Sequence, residues 1–104
     1  MERIAFRMKL RPGMLEEYRK RHDEIWPELA EALKAAGVSD YAIFHDAETD
    51  CLFATLLRRA DHTMDALPDL PVMRRWWQAM APLMETMPDL SPLSVSLACV
   101  FHLP

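Results

Sequence analysis

The stretch from Gly13 to Ala36 constrains this chain most, because it reads as one long amphipathic helix that must find an apolar surface to cover it. At about 100° per residue, Leu15, Tyr18, Trp26, Leu29, Leu33 and Ala36 fall on a single apolar stripe. His22 lies near the middle of that stripe, one turn after Tyr18 and one turn before Trp26, inside the string RHDEIWPEL. A titratable ring in that position must be paired, must sit at the wet end of a cavity, or must do chemistry. Pro27 removes one backbone donor and crowds the carbonyl of Asp23, which predicts a kink just below His22. A kink there widens the gap between helix and sheet and suits a small ligand; the plainer reading is a long helix bending around its sheet. Gly13 is placed as the N-cap with Glu16 and Glu17 at the positive helix end, and Gly37 as the left-handed stop with Val38 touching Leu33.

The remaining segments supply the sheet. Arg3–Leu10 alternates, with Ile4, Phe6, Met8 and Leu10 on one face and Arg3, Arg7 and Lys9 on the other. Asp40–Asp46 and Cys51–Arg58 read as an antiparallel hairpin joined by the polar turn Ala47–Asp50. Both arms are apolar on both faces, so helices should cover one side and another subunit the other. Ala60–Leu67 reads as a short helix ended by Pro68. Asp69 is placed as the cap of a further helix from Leu70, with Met73, Trp77, Met80 and Met84 on its stripe and Trp76 at the stripe's edge. Pro82 disturbs its last turn, residues 87–92 form a loop, and Val95–Leu103 reads as the last strand. The order β-α-β-β-α-β is the ferredoxin-like pattern of an α+β sandwich, and the uncovered sheet face predicts a homodimer with sheets packed face to face.

Composition narrows the functional classes. The 104 residues are expected to form a single domain spanning 1–104, with 51% apolar residues, enough for one core. The net charge of −4 and dispersed basic residues argue against nucleic acid as a partner. No signal-peptide pattern and no membrane-length apolar run is evident, so the chain is expected to be cytoplasmic. Cys51 and Cys99 show no CxxC spacing and read as reduced core residues in strands. The four histidines, at 22, 45, 62 and 102, show no HxH or HxxxH spacing, so no metal is expected.

Chemistry is carried by aromatic and polar residues that the fold would bring between helices and sheet: Tyr18, His22, Tyr41, Trp76 and Trp77. Indole and phenol faces stack on sugar C–H faces, and phenol and imidazole groups hydrogen-bond sugar hydroxyls. The same residues would also serve as ordinary core packing. The acidic run Asp46–Asp50 reads as a solvated turn, and Arg74–Arg75 as a solvent-facing helix surface.

Four segments, EEYRKRHDEIWPEL (Glu16–Leu29), DYAIFHD (Asp40–Asp46), RRWWQAM (Arg74–Met80) and VFHLP (Val100–Pro104), closely resemble the L-rhamnose mutarotase family over nearly the whole chain. The resemblance implies a cofactor-free homodimeric isomerase with a ferredoxin-like dimeric α+β barrel that interconverts the α and β anomers of L-rhamnose. It implies His22 as the catalytic proton donor and Tyr18, Tyr41, Trp76 and Trp77 as sugar contacts. Leu90, where the family often shows asparagine or glycine, and Met64, where a tryptophan is expected, depart from the pattern. The chemistry fits these residues: anomer exchange needs an acid at the ring oxygen and a base at the anomeric hydroxyl, with Tyr18 or water open as the base. Other readings of the same residues are a mutarotase for another deoxy-sugar, a haem-handling α+β-barrel protein with His22 as axial ligand, and a sugar-binding or structural dimer without catalysis.

Overall fold

The computed structural model describes residues 1–104. Seven regular elements follow in order: β1 (Glu2–Lys9), α1 (Leu15–Asp23), α2 (Pro27–Ala35), β2 (Val38–His45), β3 (Cys51–Arg58), α3 (Pro71–Met80) and β4 (Val95–Leu97). The four strands form one antiparallel sheet in the order β2-β3-β1-β4. β1 thus sits in the interior, flanked by the later strands, and β3 and β4 are not neighbours.

The expected single helix from Gly13 to Ala36 is two helices, and the break is sharper than a kink. A residue before proline is driven out of the helical region, and Trp26 adopts φ −61°, ψ 128°. Pro27 then opens α2 at its first position, where its missing N–H costs nothing. α1 closes upstream through Glu24 N–H to the Lys20 carbonyl and Ile25 N–H to the His22 carbonyl. At the front of α1, Met14 rather than Gly13 occupies the cap position, without a side-chain hydrogen bond. Gly13 instead turns the chain at φ +79°.

Gly37 ends α2 as expected, at φ +97° with its N–H on the Lys34 carbonyl. A Cβ there would lie 3.2 Å from both Cα and Cβ of His62, so a side chain would be crowded as well as strained by the backbone conformation. The β2–β3 hairpin forms through Asp46 N–H to the Cys51 carbonyl. The Asp46 carboxylate accepts from Glu48 N–H and Thr49 Oγ1 across the turn, which is solvated as expected.

The later half departs further from the periodicity. The expected Ala60–Leu67 helix is a 3-10 turn, Met64–Asp69, because Pro68 interrupts α-type pairing. Leu70, not Asp69, precedes α3, and Pro71 is its first residue. Pro82 lies in a second 3-10 turn, Ala81–Leu83, rather than in the helix. The expected strand Val95–Leu103 pairs with β1 only over Val95–Leu97. Residues 98–104 leave the sheet, with Val100 94% and Phe101 77% exposed. Cys99 is therefore exposed and outside any strand, not a core residue, while Cys51 is half-buried; both are free thiols.

One apolar cluster joins Met8, Leu10, Leu52 and Ala54 of the sheet region to Tyr18, Leu29, Val72, Met73, Trp76 and Met80 of the helices. Within β3 the alternation is sharp: Leu52, Ala54 and Leu56 are sealed under the helices while Cys51, Phe53, Thr55 and Leu57 are half-buried on the reverse face.

Candidate active site

Between the helices and the sheet lies a cavity of about 840 Å³, within the range of small-molecule sites. Tyr18, His22, Tyr41, Trp76 and Trp77 all contribute to its wall. The five residues singled out from the sequence thus converge on one space. Tyr18 and His22 come from successive turns of α1, as the helical spacing requires. Tyr41 faces inward from β2 with Ile43 and His45, one face of the strand's two-residue period. Trp76 and Trp77 enter from α3.

Trp76, expected at the edge of the stripe, is the more buried of the two tryptophans. Trp76 is 9% exposed and belongs to the buried stripe with Val72, Met73 and Met80, whereas Trp77 is half-buried. The proposed stripe through Trp77 takes too wide a view of the helix: with Val72 inward at its start, the 3.6-residue period brings Trp76 inward four residues later. Trp77 is then left flanking the cavity.

His22 is held on three sides. Its Nδ1 lies 2.9 Å from the carbonyl oxygen of Tyr18, one turn earlier. A carbonyl only accepts, so Nδ1 carries the hydrogen and Nε2 is left with its lone pair. The Tyr18 ring lies against the imidazole with centroids 4.2 Å apart and planes inclined by 31°. The Trp76 ring meets it edge-on at 5.3 Å and 82°. Burial lowers the His22 pKa below the ordinary imidazole value, partly opposed by the hydrogen bond to Tyr18 and by Asp23. The ring is therefore neutral near pH 7, with Nε2 basic.

The phenols are shifted the other way. Desolvation raises Tyr18 well above the usual phenol range, with a smaller push from Tyr41. Tyr41 is 39% exposed, an opening that adjoins the cavity, and its crowded surroundings still push its phenol up to about 12. Both hydroxyls thus stay protonated and act as hydrogen-bond donors and acceptors. Tyr18, one of two candidates for the base, is unsuited to that part.

Several polar wall residues were not singled out by the sequence: Arg19, Asp23, His45, Asp89, Ser91 and Ser94. His45 shares the inward face of β2 with Tyr41, so its placement was available from the strand period; its Nε2 is 3.1 Å from Asp50 Oδ1. Asp89 and Ser91 lie in the loop after α3, where no periodicity exists to read. Asp89 accepts from both the N–H and the hydroxyl of Ser91, which holds its carboxyl below the usual range. Leu90 between them sits at φ +70°, the left-handed region that glycine and asparagine occupy easily. Met64 packs at the cavity wall against the core. Arg74 and Arg75 are exposed, as expected, and Arg75 pairs with Glu28 of α2 at 3.1 Å. No three His, Cys, Asp or Glu side chains gather into a group able to hold a metal ion.

Comparison with known proteins yields a consistent picture. The sequence model of the L-rhamnose mutarotase family matches residues 3–103. L-rhamnose mutarotases of Jannaschia sp. (strain CCS1) and Acidiphilium cryptum (strain JF-5) are 64% and 62% identical over 104 residues, covering all of this chain and all of theirs. The crystal structure of an L-rhamnose mutarotase from Formosa agariphila superposes with a TM-score of 0.93 at 43% identity, again over the full length of both chains.

Proposed function

This chain belongs to the L-rhamnose mutarotase family, and from that premise we propose that it is an isomerase that interconverts the α and β anomers of L-rhamnose within a single domain spanning residues 1–104. The observation that carries the reading is His22 on the cavity wall, fixed by Tyr18 and Trp76 with Nδ1 committed to a carbonyl and Nε2 open.

Ring opening breaks the C1–O5 bond. O5 gains a proton, O1–H loses one, and C1 becomes an aldehyde carbonyl. Rotation about C1–C2 presents the other carbonyl face, and reclosure returns both protons. His22 is the proton donor to O5 on opening and, by microscopic reversibility, takes that proton back on closure. O1 and O5 are both bonded to C1, so one Nε2 near that carbon can collect a proton from one oxygen and deliver it to the other. This supplies the base without asking a phenol with a raised pKa to ionise. Tyr18 and Tyr41 hydrogen-bond the sugar hydroxyls as donors, and Trp77 offers the indole face on which the sugar's apolar side rests; Trp76 completes the pocket mainly by holding His22. Proton transfer of this kind contributes about 10²–10⁴-fold, ample for a reaction that already proceeds slowly in water.

The finer architecture belongs to the same reading. The strand order suits a ferredoxin-like half of a dimeric α+β barrel, with the uncovered sheet face and the exposed apolar residues Val95, Leu97 and Phe44 meeting a second copy. A cytoplasmic location accords with two cysteines left as free thiols. No helix is long and apolar enough to cross a membrane.

Saturation-transfer NMR on L-rhamnose, L-fucose and D-glucose tests the proposal. Accelerated α/β exchange strongest for L-rhamnose is the expected result. Tight sugar binding with exchange at the solvent rate would instead support a binding module.

A further inference from the structure

Trp26 lies at the break between α1 and α2 and is half-buried, yet it does not line the cavity. No sugar in that cavity has a direct path to it. Its backbone is held extended by the proline that follows. The Trp26 ring meets the Trp76 ring edge-on, with centroids 5.2 Å apart and planes at 85°. Trp76 in turn meets the His22 ring edge-on at 5.3 Å and 82°. The three rings form a file: Trp26, Trp76, His22. Edge-to-face contacts are directional, because a positive ring edge seeks a negative ring face, so each ring limits the tilt of the next.

The surrounding contacts tie the same joint to α3. Arg21 of α1 donates to the Ala79 carbonyl near the end of α3 while its Nε bonds Glu17 at 2.9 Å. Arg75 reaches Glu28 in the first turn of α2. These links fasten the helices to one another, whereas the ring file carries side-chain contact from the proline break to the imidazole itself.

We infer that Trp26 is a positioning residue for His22, acting through Trp76, and that the Trp26–Pro27 break exists to deliver that indole. The inference rests on the proton-transfer role proposed for His22. Loss of the Trp26 ring frees Trp76 to tilt, and His22 loses one of its three supports while the sugar contacts of Tyr18, Tyr41 and Trp77 remain. A misplacement far smaller than a bond length matters little to binding, but proton transfer depends steeply on geometry.

The test compares Trp26→Leu, Trp26→Phe, His22→Asn and Leu10→Ala by α/β exchange on L-rhamnose, with kcat and KM resolved and rates corrected for folded fraction. Leu10 is 1% exposed and lies off the cavity wall, so its truncation reports destabilisation alone. Trp26→Leu is expected to lower kcat about tenfold or more with KM changed less than about threefold. Trp26→Phe, which keeps a shorter ring, falls between it and the parent. The ¹⁵N shifts of the His22 ring should report the Nδ1–H tautomer in the parent and a mixed population in Trp26→Leu. Leu10→Ala should lower Tm and leave kcat and the ring shifts unchanged. Full kcat and parental ring shifts in folded Trp26→Leu would overturn the inference. If that variant does not fold, Trp26→Phe decides: reduced kcat at unchanged KM supports the positioning role, and full kcat overturns it. Retained exchange in His22→Asn would instead overturn the proton-transfer reading beneath it.

Discussion

The two faces of the one sheet make unlike environments from similar residues. Under the helices, Leu52, Ala54 and Leu56 of β3 are at most 1% exposed. On the reverse face the same strand offers Phe53 and Leu57 half-buried, and the two edge strands leave Phe44 63% and Val95 46% exposed. The covered face gives the domain its core and, where α1 breaks from α2, a cavity with His22 on its wall. The reverse face has apolar side chains and nothing of its own chain to cover them. Stability and the proposed chemistry therefore belong to one face and the proposed association to the other, and substitutions can be sorted by which side they strike.

The largest stability losses are expected on the covered face. Trp76→Ala should cost about 3–5 kcal/mol and Leu52→Ala about 2–5 kcal/mol, read by urea denaturation, because both empty packed space. Trp77→Ala, at a half-buried position, should cost less stability and more sugar affinity; the reverse order for the two tryptophans would show that their parts are misassigned. Phe53→Asp, at the middle of the reverse face, should change monomer folding far less and shift sedimentation from dimer to monomer. A dimer that survives this change would place the interface elsewhere.

A smaller effect follows from the histidine. Folding lowers the His22 pKa, so the unfolded chain binds the proton more readily. The neutral ring's contribution is intact above the unfolded value near 6.5 and is lost as pH falls through the lower folded value. The parent should therefore lose stability on acidification over that window by more than His22→Asn does, in matched denaturation curves. Smallest of all is the double substitution Cys51→Ser/Cys99→Ser. With both thiols free and Cys99 exposed, it should leave anomer exchange unchanged and stability within about 0.5 kcal/mol.

The same contrast explains what the sequence made legible. The inward face of β1 follows from a two-residue alternation that few other structures accommodate, and the β2–β3 hairpin from two apolar runs joined by a polar turn. The convergence of Tyr18, His22 and Tyr41 follows from helical spacing together with that alternation. Where prolines stand, the periodicity misleads. Pro27 and Pro68 replace helix with a break and a 3-10 turn, since a missing donor and a restricted preceding residue outweigh an apolar stripe. The observed last strand is shorter than the alternation predicts because the pattern of Val95–Leu103 states which residues share a face, not whether a partner strand lies alongside. Asp89 and Ser91 reached the cavity wall through a loop, and no local pattern records where a loop returns. The Trp76 and Trp77 assignments turned on about 100° of helix rotation, which only packing against the sheet decides.

The central claim is that His22 transfers the proton in anomer exchange. It is tested most directly by saturation-transfer NMR on folded His22→Leu, with L-rhamnose binding measured on the same sample. The account predicts that the variant binds sugar through Tyr18, Tyr41 and Trp77 and loses about 10²-fold or more in exchange rate, with thermal stability equal to or above the parent once a polar ring leaves a packed face. A stable, sugar-binding His22→Leu protein that exchanges anomers at the parental rate would contradict it.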